Sequence, residues 1–114
     1  MPTPDSTPNY TGDLSMRKER DINLLKQVLA DVRVRQKKWD SWAGEGLIFS
    51  ESIFIDSVLH TMRQLMTLES DLLRQSIVEI TLIPRPANSW HTASNYMEEL
   101  CFILNQTLNR EETT

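Results

Sequence analysis

One cysteine, two histidines and three glycines stand among 114 residues, and each scarcity closes off a class of protein. Cys101 has no second cysteine within the chain, so an internal disulfide framework is excluded. With only His60 and His91 beside it, the chain also lacks the ligands of a structural zinc site. Two of the glycines fall in Gly44-Glu45-Gly46, which leaves no Gly-rich loop to cradle a phosphate. The longest apolar runs, such as Leu47-Ile48-Phe49, stop far short of the roughly 20 residues of a spanning helix. No membrane partner is expected. The first residues, Met1-Pro-Thr-Pro-Asp-Ser-Thr-Pro, carry neither a basic nor an apolar stretch of the kind that directs export. Together with the single thiol, this places the protein in a reducing compartment, the cytoplasm. Prolines number five, and four of them sit near or beyond the ends of the expected elements, which favours helices over a turn-rich β-sandwich.

What remains is 39% apolar and 25% charged, enough for one helical domain. Residues 1–13 are polar and aperiodic and read as a flexible tail, 14–110 as a single helical domain, and 111–114 as a frayed end. From residue 14 to 43, Ile22, Leu25, Leu29, Val32, Trp39 and Ala43 recur at intervals of three and four, with Gln36 in the one gap. This is a seam of coiled-coil spacing about 45 Å long. Glycine at 44–46 supplies the left-handed cap that ends it. A second helix is expected from Ser50 as N-cap and Glu51 in its first turn. Its apolar positions, from Phe54, Ile55, Val58, Leu59, Met62, Leu65 and Met66 to Leu72 and Leu73, cover about half the helical wheel. That width predicts a central helix flanked on both sides.

Glu69 projects from the middle of that face, and two readings follow. Either the helix breaks near Glu69 and Ser70 caps a new segment, or one helix continues and Glu69 is buried as an ion pair. In an antiparallel hairpin residue 69 lies opposite 23–26, which makes Lys26 the partner. The stretch 77–83 is ambiguous between helix and strand, because its β-branched residues partly alternate. Pro84 and Pro86 end it. A third helix is expected over 89–109, capped by Asn88 or Ser89, with Ala93, Met97, Leu100, Leu104 and Leu108 as its seam and Trp90, Tyr96, Cys101 and Ile103 beside it. The fold expected is therefore all-α: an antiparallel three-helix bundle, or a long helical hairpin with a third helix packed back.

The net charge of −4 is unevenly spread. Residues 13–43 carry eight cations against five carboxylates and 44–114 carry four against ten, so the first helix attracts the rest of the chain. His60, His91 and Cys101 form no nucleophile–base spacing, and Glu98 and Glu99 point about 100° apart. The expectation is a protein that is not an enzyme and takes no cofactor. Arg33, Arg35, Lys37 and Lys38 beside Trp39 and Trp42 combine cationic and aromatic chemistry that would suit a nucleic acid. Against that, the cations are spread around the helix and the remainder of the chain is acidic. Trp42, at the edge of the seam, is the best single anchor for a protein partner, with Trp39, Arg35 and Lys38 around it.

Trp42-Ala43-Gly44 between two expected helices, in a chain of this size, resembles the WXG100 family of secreted helical hairpins, whose Trp-x-Gly occupies the central turn. That resemblance implies a hairpin fold. The family's Tyr-x-x-x-Asp/Glu tail signal is absent, Leu100 standing four residues after Tyr96, and the Pro-linked third helix is an addition to the two-helix pattern. The leading expectation is a non-enzymatic interaction module, an adaptor, assembly factor or small inhibitor that occupies a partner's surface and self-associates. A nucleic-acid-associated protein is the alternative.

Overall fold

In the computed structural model the backbone is described for residues 6–81 and 87–113, and side chains for 16–77 and 87–113. The described residues form four helices and no strand: α1 (Ser6–Glu45), α2 (Glu51–Leu65), α3 (Asp71–Thr81) and α4 (Trp90–Thr113). The class is all-α as expected, and of the two readings of the second apolar segment it is the break near Glu69, with Ser70 capping a new helix, that the structure shows, which makes four helices where the bundle was expected to have three.

At 40 residues, α1 is about 60 Å long in a molecule measuring 68 × 20 × 18 Å. It begins at Ser6, inside the segment read as a tail, rather than at Leu14. Pro8 permits this, since the first turn of a helix has no use for its missing amide and already requires its fixed φ. Residues 1–5 of the expected tail lie outside the described residues. At the other end Gly46 takes φ 70°, the left-handed value expected of the cap. Its N–H donates to the Ala43 carbonyl (3.2 Å) and that of Leu47 to the Trp42 carbonyl (3.1 Å), the two bonds of a Schellman motif. Trp42-Ala43-Gly44 thus lies within the last turns of α1, not in the turn that follows, so the WXG100 placement is not reproduced.

Ser50 caps α2 as expected, its Oγ accepting the Ile53 N–H at 3.4 Å. α2 then runs back along α1: Thr61 meets Arg35, Gln64 meets Asp31, and residues 69 and 70 meet Asp21. α3 follows, and α4 begins again at the C-terminal end of α1. The return is fixed by Trp90, whose indole N–H donates to the Ile48 carbonyl at 3.1 Å. α4 descends alongside α1 until Glu112 stands 3.5 Å from Lys26. Consecutive helices pack on one another and α4 closes onto α1, a helical bundle with one long member.

The heart of the core is the seam between α1 and α4. Leu25, Val28, Leu29, Val32 and Trp39 are buried there against Ala93, Met97, Leu100, Leu104 and Leu108. Phe54 and Leu65 of α2, Leu68 of the connection, and Leu73 and Ile77 of α3 complete it. This corrects one expectation: α1, not the second helix, is the central member. The two seams of matching spacing cover each other, whereas α2 buries only Phe54, Thr61 and Leu65 and leaves one flank uncovered.

Residues 66–70 break the second segment without glycine or proline. Ser70 caps α3, its Oγ accepting the Leu73 N–H (3.3 Å) and its carbonyl the Arg74 N–H (3.0 Å). Arg74 in turn donates to the Leu68 carbonyl (2.9 Å) and pairs with Asp71. Of the ambiguous stretch, 77–81 is helix, Ile77 following Leu73 on the buried face, and 82–83 lie outside the described residues. Ser89 caps α4, accepting the Thr92 N–H at 3.2 Å, and Thr92 Oγ1 reciprocates by accepting the Ser89 N–H at 3.0 Å. α4 continues to Thr113, through residues expected to fray. Thr113 Oγ1 bonds the Asn109 carbonyl (2.9 Å) and Glu112 pairs with Lys26, so the last turn has partners.

Candidate interaction surface

The groups capable of acid–base or nucleophilic chemistry are not gathered. His60 and His91 are exposed on different helices, and Cys101 is buried in α4. Burial pushes the Cys101 thiol up, opposed by Arg33 and reinforced by Glu98, and its Sγ lies 4.0 Å from Gln36 Oε1. A covered, neutral thiol is a poor nucleophile. Among the described residues no three His, Cys, Asp or Glu side chains are grouped to hold a metal ion. No helix among them is long and apolar enough to cross a membrane.

The expected interface residues Trp42, Trp39, Arg35 and Lys38 do not share one open surface. Trp39 is 1% exposed, its ring 5.7 Å from that of Trp90 and 5.8 Å from that of Phe54. Trp42 is half-buried and meets Trp90 edge-on at 4.7 Å, with Lys38 Nζ 5.4 Å from its ring centre. Arg35 donates to Thr61 Oγ1 at 2.9 Å and so fastens α1 to α2. Phe49 and Tyr96 extend the cluster, which closes this end of the bundle.

The ion pair proposed between Glu69 and Lys26 is not formed, and Glu69 is not buried. Glu69 is exposed and lies 3.5 Å from Arg20, while Lys26 pairs with Glu112. The reason is the break itself, which carries residue 69 off the apolar face. The buried acid is Asp21, 4% exposed, which no expectation singled out. It accepts the N–H groups of Glu69 (2.7 Å) and Ser70 (3.0 Å), placing its negative charge at the positive end of α3. Its signal was in the sequence: Asp21 precedes Leu25, Val28 and Val32 at seam spacing of four, three and four. The adjoining cleft of about 310 Å³ is lined by Arg17, Lys18, Asp21, Glu69, Ser70, Leu73 and Glu111. Charges of both signs alternate around it and single out no class of ligand.

One surface is continuous and apolar. Along α2 and its C-cap residue, Ile55 (44% exposed), Leu59 (40%), the half-buried Met62 and Met66 (55%) follow one another at intervals of four, three and four, a straight row along the helix. One flank of the row runs into the core through Val58 and Leu65. The other carries Asp56 and Arg63, both exposed and neither engaged in an ion pair or side-chain hydrogen bond among the described residues. Ile53 is also exposed on α2 but points away from the row, and others, such as Ile48 and Phe102, stand on separate elements. Phe102 lies in a shallow groove with Asn95, Glu98, Glu99 and Ile103, a lone aromatic ring beside two carboxylates. The sequence displayed the row plainly, as part of the wide apolar face, but its width was read as two buried flanks when one of them is open. Compared with known protein families, curated proteins and solved structures, the chain matches none.

Proposed function

We propose that this protein is a non-enzymatic interaction module that works in the cytoplasm by laying the outer row of α2 against a protein partner. The observation that supports this reading is the uncovered apolar row Ile55, Leu59, Met62 and Met66 on a helix otherwise held to α1. Contiguous apolar surface left in water is the usual mark of a contact surface, and a helix presenting anchors at four-three-four spacing is a common way of filling a hydrophobic groove. The basic residues of α1 lend the nucleic-acid alternative less support, since Arg35 is tied to Thr61 and Lys38 sits over Trp42.

The test is affinity capture from the native host with the full chain and with the Ile55→Glu, Leu59→Glu double variant. The wild type should retain proteins that the variant loses while the variant's helical circular dichroism is unchanged. A variant that keeps its fold and retains the same set of proteins would refute the reading.

A further inference from the structure

We infer that the partner of the α2 row is a second copy of the same chain, docked antiparallel, α2 on α2, about a twofold axis that passes between Leu59 and Met62. This inference rests on the reading of the row as a contact surface and adds the identity of what covers it. It is carried by the pattern of charge beside the row.

Written as a heptad, Ile55 and Met62 take one core position and Leu59 and Met66 the other. When a second copy is laid antiparallel, Leu59 falls opposite Met62 of the other copy and Ile55 opposite Met66. The row is therefore complementary to itself without any change of register, as a twofold interface requires. Asp56 and Arg63 each follow a core residue directly, one turn pair apart on the same outer flank. In an antiparallel pair, positions of this kind face their counterparts across the seam. The alignment that places Leu59 against Met62 also places Asp56 against Arg63 of the other copy, and it does so twice.

Within one chain these two side chains cannot meet, since seven residues of helix separate them by about 10 Å. Both are exposed, and neither has a partner among the described residues. A parallel arrangement would instead turn Asp56 and Arg63 toward the Val58 and Leu65 flank of the other copy, which is already packed into that copy's own core. The opposite flank, Val58 and Leu65, belongs to the core, so the second copy is gripped on the open side alone. A helix of 15 residues offers an interface about 22 Å long, at the small end of specific interfaces, so the association is concentration-dependent.

Sedimentation equilibrium of the full chain from micromolar to millimolar concentration tests this, with circular dichroism confirming that each variant is folded. The wild type should move from monomer to dimer. Asp56→Arg alone and Arg63→Asp alone should each weaken the dimer roughly tenfold or more by placing like charges across the seam, and the double exchange should restore it. Leu59→Glu should abolish it. A wild type that stays monomeric over the whole range overturns the inference, as does a dimer whose strength ignores both single exchanges. Carbene footprinting of the wild type at the lowest concentration separates this failure from that of the underlying reading. A labelled Ile55 and Met66 in a chain that does not associate removes only the second copy, whereas an unlabelled row removes the contact surface as well.

Discussion

At the C-terminal end of α1, Trp39, Trp42, Phe49, Phe54, Trp90 and Tyr96 pack ring against ring, with centroids 4.7 to 6.2 Å apart. Near residue 21 the same helix is joined to its neighbours by the Asp21 carboxylate on two backbone amides, by Arg20 on Glu69 and by Lys26 on Glu112. The first end excludes water and depends little on direction or charge. The second depends on both, and its ion pairs stand half in solvent. One helix is thus clamped by burial at one end and by directed polar contacts at the other, so the polar end should open first and the aromatic end last.

Three measurements break or sharpen that contrast. Trp39→Ala removes the ring that touches both Phe54 and Trp90 and should lower the unfolding free energy in urea by about 3–5 kcal/mol. Asp21→Ala strands the amides of Glu69 and Ser70 and should lower it by about 1–3 kcal/mol. In that variant amide exchange should accelerate at 68–74 before it changes at 39–54, and a uniform acceleration would erase the distinction between the ends. Lys26→Ala or Glu112→Ala removes a pair whose side chains are 56% and 47% exposed and should shift stability by no more than about 1 kcal/mol. In 1 M salt the wild type should match these two variants more closely, while the loss caused by Trp39→Ala persists.

How far the sequence foretold this molecule varies with the kind of interaction. The seams of α1 and α4 were legible because the apolar period of a buried helix repeats over many turns, and Leu25, Leu29, Val32, Met97, Leu100 and Leu104 all lie in the core. The caps at Ser50, Ser70, Ser89 and Gly46 were legible because each is a local bargain between one side chain or one φ angle and the nearest turn. The partner of Glu69 was not legible, since it turns on where the chain leaves the helix, and a shift of a few residues replaces Lys26 with Arg20. The role of Asp21 required knowing that a chain break 48 residues away would present its amides to that carboxylate. The open flank of α2 was hidden for a related reason. Periodicity reports which positions are apolar, not how many neighbours a short helix will find, and α3 is only 11 residues long.

Cys101 lends the α1–α4 seam one further property. Its sulfur is the chain's only thiol, it is covered, and it lies against Gln36 on the opposite helix. A thiol reagent finds little of it while the two long helices are closed, and the thiolate it needs is disfavoured there, so its reaction should quicken when they part. The molecule therefore carries its own stopwatch: the pace of chemistry at a single buried atom counts the breathing of its main seam, with no label added.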